Sequence, residues 1–316
     1  MLAYVVKRIL SLIPVLFVVT LVIFFIIHIT PGDPAATILG LEASPQDIQQ
    51  LSHELGLDKP IQEQYVHWLS NVLQGDLGDS IFMKQPVLQA IQEHMGPTLS
   101  LAILAQLFAL ILSIPFGVIA AYKRGTFTDV TLMGLSLVGT AIPSFLLGLF
   151  FMLVIGVRLE WLPVAGYEPL SAGLWTHLRY LILPGLSLGI IQAALITRMT
   201  RSSMLEVLNL NFIKTARAKG LKEKKVLLKH AFRNAFLPIL TIVGQTFGSL
   251  VTGAVVVESI FTIPGLGQLI LNSIVRRDFA VIQGVVLVVT LIVIGINLLI
   301  DLLYGAVDPR VRLDRK

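Results

Sequence analysis

Cysteine is absent from this 316-residue chain, which excludes disulfide bonds, thiolate metal ligands and a thiol nucleophile. Charged residues are also scarce, at 14% of the sequence against about 25% in a typical soluble domain. Hydrophobic residues reach 55%, and the mean hydropathy is +0.83. A soluble core of this length cannot use so much apolar surface, so we expect a lipid bilayer to be the solvent.

Several functional motifs are missing as well. No glycine is followed by lysine, so the phosphate-binding loop of ATPases has no place on this polypeptide. The middles of the apolar segments hold no acid or base, although proton-coupled carriers usually place one there. Ser202 and Ser203 have no histidine and acid partners that would indicate hydrolysis. We therefore expect no catalytic residue and no resident cofactor, and energy has to come from a partner.

Six apolar segments are long enough to cross about 30 Å of hydrocarbon as helices. They are residues 9–29, 98–121, 132–157, 180–199, 235–257 and 279–304. The sequence thus predicts an all-α polytopic membrane protein. Prolines within or at the ends of these segments are interpreted as kinks, with a translocation hinge as the alternative. A cleaved signal peptide is disfavoured because the first segment is too long and no small-residue cleavage site follows it.

The basic residues predict the orientation, since cytoplasmic loops hold the excess of Lys and Arg. Placing both termini in the cytoplasm leaves most basic residues inside, namely Lys7, Arg8, Lys123, Arg124, Arg198, Arg201, Lys214, Arg217, Lys219, Lys222, Lys224, Lys225, Lys229, Arg233, Arg310, Arg312, Arg315 and Lys316. This distribution explains the net charge of +5 without a nucleic-acid partner. Contact with membrane lipid is expected instead.

Residues 30–97, called here the outer segment, hold nine acidic and two basic residues and are predicted to form short amphipathic helices. Ser44 is expected to cap one helix that ends near Gly56, and a second helix begins near Pro60. The segment is interpreted as a cap packed at the membrane surface, with docking of an external partner as the alternative. His53, His67 and His94 lie on separate predicted helices, so no metal site is predicted.

Residues 200–234, called here the inner loop, are strongly basic. A slim helix over residues 212–219 is predicted, in which Ala216 and Ala218 would allow close approach of another surface. Gly220 is expected to end it in a left-handed conformation, and a second helix follows over residues 222–235. We interpret the loop as a prong presented to a cytoplasmic partner; a helix resting on anionic lipid is the alternative.

The stretch 198–238 closely resembles the inner loop of dipeptide/oligopeptide/nickel ABC importer permeases, of the dipeptide permease B type. Further segments agree in order along the chain: Pro-Gly-Asp-Pro at 31–34, Leu-Gly-Leu-Asp-Lys-Pro at 55–60, Gly-Asp-Leu-Gly at 75–78, Glu-Ser-Ile-Phe at 258–261, Pro-Gly-Leu-Gly at 264–267, Arg-Asp at 277–278, Asp-Leu-Leu-Tyr at 301–304 and Asp-Pro-Arg at 308–310. Each segment is weak alone, and their order makes the resemblance specific.

The resemblance implies a type I (MetI-like) importer permease fold with one leading helix and a five-helix core. The implied division is a transmembrane helix at 1–29, the outer segment at 30–97, a permease core at 98–305 and a cytoplasmic tail at 306–316. The implied location is a bacterial inner membrane. The implied partners are a second homologous permease, two ATPase subunits that hydrolyse ATP, and an extracytoplasmic substrate-binding protein.

The family's coupling motif implies which residues meet the ATPase. They are Lys214, Thr215, Ala216, Arg217, Ala218, Lys219, Gly220 and Leu221. Lys214 stands where the general motif has glutamate, which leaves any acid-mediated contact with the ATPase open. The expected substrates are di- and oligopeptides, with nickel or glutathione as alternatives. A self-sufficient secondary carrier and a membrane scaffold without transport activity are the disfavoured readings.

Overall fold

The computed structural model describes residues 8–29, 34–39, 44–54 and 56–307. Lys7, most of the Pro-Gly-Asp-Pro motif, Leu55 and residues 308–316 lie outside the described residues. The described chain divides into two compact units, Met1–Gly96 with Gln268–Ile294 and Pro97–Gly267 with Gly295–Lys316. We call them unit 1 and unit 2.

The described elements are mostly helical. In chain order they are α1 (Leu12–Ile29), α2 (Pro34–Leu39), α3 (Pro45–Glu54), α4 (Ile61–Leu73), β1 (Asp79–Ser80), β2 (Gln85–Pro86), α5 (Val87–Tyr122), α6 (Phe127–Ala141), α7 (Ser144–Phe151), a π-helical turn (Met152–Arg158), a 3-10 turn (Leu170–Ala172), α8 (Leu174–Leu208), α9 (Asn211–Ala218), α10 (Glu223–Lys225), a second π-helical turn (Val226–Ala231), α11 (Phe232–Gly253), α12 (Val255–Ile260), α13 (Leu266–Arg276) and α14 (Phe279–Val307).

Among the described residues, five helical runs are long and apolar enough to cross a membrane. They are Arg8–Ile29, Val87–Tyr122, Leu174–Leu208, Glu223–Gly253 and Phe279–Tyr304. The prediction of an all-α protein with apolar spans is confirmed. Several runs exceed the predicted segments: the 36 residues of α5 extend for about 54 Å, well beyond the hydrocarbon layer.

The third predicted span, residues 132–157, lies in a bent helix pair, which brings the possible spans among the described residues to six if the pair crosses the membrane once. The structure breaks this segment into α6 and α7, with a bend of 97° between them. The physical reason is Pro143, which has no backbone N–H and forces the preceding Ile142 into an extended conformation (φ −89°, ψ 123°). Pro115, Pro184 and Pro238, by contrast, lie inside continuous helices.

Within unit 1, α4 packs on α1 through aromatic side chains. The hydroxyls of Tyr65 and Thr20 share a hydrogen bond of 2.9 Å, and the ring of Phe24 contacts those of Tyr65 and Trp68. The predicted start of α3 is confirmed, because the backbone N–H of Asp47 donates to the Ser44 hydroxyl over 3.2 Å. The outer segment thus has folded helices, one of which is seated on a membrane helix.

The two short strands of unit 1 form an antiparallel hairpin. The Ser80 hydroxyl donates to a carboxylate oxygen of Asp278 over 2.6 Å, and both side chains are buried. At the hairpin tip, the guanidinium of Arg276 lies 3.5 Å from the centre of the Phe82 ring. Asp278 of the Arg-Asp motif therefore fixes the hairpin to the start of α14.

Within unit 2, α8 is the central helix and packs against α6, α7 and α11. Small residues let neighbouring helices approach it closely. A Cβ built at Gly189 would lie 2.7 Å from the backbone oxygen of Ala105 in α5, so only glycine fits there. Unit 2 also contains the inner loop.

Candidate functional site: the inner loop

The first helix of the inner loop, α9, ends where the sequence predicts. Gly220 has φ +76°, and its N–H donates to the backbone oxygen of Arg217 over 2.9 Å. The N–H of Leu221 donates to the backbone oxygen of Ala216 over 3.3 Å. These two bonds close the last turn of α9, and the glycine then reverses the chain.

The second helix of the loop differs from its predicted bounds of 222–235. A single helical run begins at Glu223, passes through a π-helical turn at Val226–Ala231 and continues to Gly253. The part of the loop from Glu223 onward and the following membrane span therefore form one continuous helix. The turn contains no glycine or proline, so no residue in it ends the helix before the membrane span begins.

Helix α9 has a buried face and an exposed face. Ile213 is fully buried and Ala216 is 8% exposed. The exposed positions among the predicted coupling residues are Lys214, Thr215, Arg217, Ala218, Lys219 and Gly220. Of the two alanines expected to keep the helix slim for a partner, only Ala218 is accessible, because Ala216 faces its own chain.

The buried face of α9 belongs to an apolar group that we call the inner cluster. Its buried members are Val118 and Ala121 of α5, Met204 and Val207 of α8, Ile213 and Ala216 of α9, Val226 and Ala231 of the π-helical turn, and Ala235 and Ile239 of α11. Leu221, the last predicted coupling residue, packs at its edge. The cluster therefore packs α9 against one end of each of three apolar helices, α5, α8 and α11.

Around Gly220, one acidic residue pairs with an arginine, and a group of lysines follows. The guanidinium of Arg217 donates to the carboxylate of Glu223 over 2.7 Å and bridges the elbow. Because both side chains are well exposed, this pair contributes little to stability. Beyond the elbow, a cavity of about 520 Å³ is lined by Gly220, Leu221, Lys222, Lys224, Lys225, Leu228 and Lys229. The accessible side of the loop is therefore strongly basic.

Arg201 of the inner loop forms an ion pair that was not predicted, because its sequence position indicates only membrane topology. Its Nε and Nη2 donate to the two carboxylate oxygens of Asp129 over 2.6 and 2.7 Å. The N–H of Gly125 adds a third hydrogen bond to this carboxylate, over 2.9 Å. The only sequence signal was an acid in the first turn of a helix that follows a basic turn, which is too common to assign a partner.

Comparison with known proteins agrees with this architecture. Residues 113–313 match the model of the binding-protein-dependent transport system inner membrane component, and residues 1–102 match the N-terminal model of the same membrane components. A peptide transport system permease protein of Brucella abortus is 44% identical over 99% of this chain and 100% of its own length. The glutathione transport system permease protein GsiC of Shigella flexneri is 43% identical over 99% of each chain.

Solved structures support the fold. The MetNI methionine ABC transporter in an inward-facing conformation matches with a TM-score of 0.58 at 18% identity, covering 70% of this chain and 97% of that chain. An amino acid ABC transporter matches with a TM-score of 0.53 at 14% identity, covering 69% and 94%. At such identities the likeness concerns the fold alone, whereas the family models and the full-length relatives carry the assignment. The chain is a multi-pass membrane protein that belongs to the family of binding-protein-dependent transport system inner membrane components.

Proposed function

We propose that this chain is one of two permease subunits of an ATP-driven importer for di- and oligopeptides in a bacterial inner membrane. Its relatives at 43–44% identity are named for peptide and glutathione transport, and glutathione is itself a small peptide. Within the resemblance, nickel or glutathione is the alternative to a broader range of peptides. Substrate selection is assigned to an extracytoplasmic binding protein, and the chain itself performs no covalent chemistry.

The observation that carries the coupling role is the division of α9 into two faces. Ile213 and Ala216 are held in the inner cluster, while Lys214, Arg217 and Lys219 are exposed. One face of α9 packs against the membrane helices of its own chain, and the other face is exposed to a partner. Such a helix is suited to transmit force from that partner. We assign that partner as a cytoplasmic ATPase subunit, since the chain has no phosphate-binding loop of its own.

The proposed mechanism is alternating access. Closure of two ATPase subunits on ATP displaces the segment from Lys214 to Leu221. The inner cluster passes this displacement to the ends of α5, α8 and α11, and the pathway shared with a second permease then opens outward. Both termini are placed in the cytoplasm, so that the basic inner loop faces the ATPases.

A matched pair of substitutions tests the coupling assignment. Gly220 and Gly75 both have positive φ, +76° and +85°, and nothing lies within 4 Å of a Cβ at either position. Aspartate therefore introduces the same backbone strain and the same charge at both sites. We expect Gly220→Asp to abolish ATP-dependent peptide uptake by membrane vesicles, with normal insertion of the chain, and Gly75→Asp to retain uptake. Normal uptake by Gly220→Asp would contradict the coupling assignment.

A further inference from the structure

We propose that Asp129 and Arg201 are positioning residues that carry the movement of the inner loop to the broken helix pair α6–α7. This inference rests on the proposed coupling function and adds α6 and α7 to the helices that the movement of the inner loop reaches. The inner cluster contains residues of α5, α8, α9 and α11 but none of α6 or α7. The ion pair links the first turn of α6 to the end of α8 that the cluster holds.

The hydrogen bonds of the pair fix the orientation of the two side chains relative to each other. Two parallel hydrogen bonds hold the guanidinium in the plane of the carboxylate, and the third, from Gly125, fixes the carboxylate to the turn before α6. The side chain of Asp129 is 5% exposed and that of Arg201 is 26% exposed. A partly buried bidentate pair of this kind resists both translation and rotation, unlike a single exposed contact.

Arg201 lies near the end of α8, on the part of that helix that belongs to the inner loop. Met204 and Val207, three and six residues further along the same helix, are members of the inner cluster together with Ile213 of α9. Residues three apart are neighbours on a helix surface. A displacement of α9 that moves the end of α8 therefore moves the guanidinium of Arg201 as well.

Asp129 lies in the first turn of α6, at the opposite end of that helix from the 97° bend. Along the rest of α6 the contact with α8 is apolar and close, since a Cβ built at Gly139 would lie 3.4 Å from the Cβ of Ala194. A cavity of about 300 Å³ beside this contact is lined by residues of α5, α6, α7 and α8, among them Phe116 and Gly139. Apolar side chains can slide past one another, whereas the paired hydrogen bonds of Asp129 and Arg201 fix the register between the first turn of α6 and the end of α8.

Neutral substitutions separate positioning from simple stability. Asp129→Asn or Arg201→Gln alone leaves one charge without its partner, and each should lower the thermal midpoint of the purified complex. The double variant Asp129→Asn/Arg201→Gln leaves no such charge and should recover most of the lost stability. If the pair positions α6, the double variant remains poorly coupled even though it is stable.

The test uses the complete complex, purified through a tag on this chain and reconstituted in proteoliposomes with its binding protein. We expect the ATP hydrolysed per peptide imported to rise at least about fivefold in the double variant, the lower end of typical coupling between sites. The control removes the exposed outer pair of His53 and Asp58, whose atoms lie 2.7 Å apart, with His53→Gln/Asp58→Asn. This control should keep the wild-type ratio.

Two results would overturn the inference while leaving the proposed function intact. One is a wild-type ratio in the double variant. The other is a ratio that merely follows the thermal midpoint across the three variants, which would indicate a structural role alone. Wild-type vesicles without any ATP-dependent uptake would instead overturn the proposed function, and this inference with it.

Discussion

Thr98 donates its hydroxyl hydrogen to a carboxylate oxygen of Glu258 over 2.6 Å, and both side chains are fully buried. The same hydroxyl accepts the N–H of Leu266 over 2.8 Å, and the Glu258 carboxylate accepts the N–H of Gly267 over 2.8 Å. A Cβ at Gly265 would collide with this carboxylate. The Pro-Gly-Leu-Gly motif therefore contains glycine because its backbone wraps a buried acid.

Replacing Thr98 with valine should destabilise the protein. The substitution keeps the shape but removes the atom that serves both Glu258 and the N–H of Leu266, and leaving buried groups unpaired costs about 1–3 kcal/mol each. We expect a lower thermal midpoint for detergent-purified Thr98→Val. Thr131→Val is the control, since the Thr131 hydroxyl is exposed and bonds only within its own helix turn. Equal midpoints for the two variants would show that the buried network contributes nothing.

Replacing Gly189 with alanine should impair packing between α5 and α8. The added methyl group would meet the backbone of α5 at Ala105, which cannot move aside as a flexible side chain can. Overpacking of this kind costs about 1–3 kcal/mol. The control is Gly134→Ala in α6, where nothing lies within 4 Å of the new atom. Thermal unfolding of both variants measures the difference, and similar stability would refute the close approach.

The two faces of α9 should respond differently to substitution. Ile213→Ala removes a fully buried side chain and should cost about 2–5 kcal/mol of stability. Lys214→Ala alters the exposed face, so we expect unchanged thermal stability but weaker association of the ATPase subunits in pull-down titrations. The reverse pattern, in which Lys214→Ala destabilises the chain and Ile213→Ala weakens only association, would contradict the orientation of the helix.

Local features of the fold could be predicted because their causes are local. The hydroxyl of Ser44 and the conformational freedom of Gly220 act within a few residues of their own positions, and both helix ends occur where expected. The apolar spans follow from composition and length alone. Pro143 shows the limit of this reasoning: a proline can bend a helix or break it, and the neighbouring packing decides which.

Features that depend on helix phase or on distant pairing could not be predicted. Whether Ala216 or Ala218 faces a partner depends on how α9 rotates to bury Ile213, which only the inner cluster determines. The pairing of Asp129 with Arg201 joins positions 72 residues apart. Thr98 and Glu258 are separated by 160 residues, so an acid and a hydroxyl in two apolar helices carried no sign of each other.

The central claim is that this chain works only as part of an ATP-driven assembly. The most direct measurement is affinity purification of the tagged chain from its native membrane in mild detergent, followed by mass spectrometry and by uptake assays in vesicles with and without ATP. We predict recovery of a second permease and ATPase subunits, with uptake that requires ATP. Recovery of this chain alone, still active in ATP-free vesicles, would contradict the account and indicate a self-sufficient carrier.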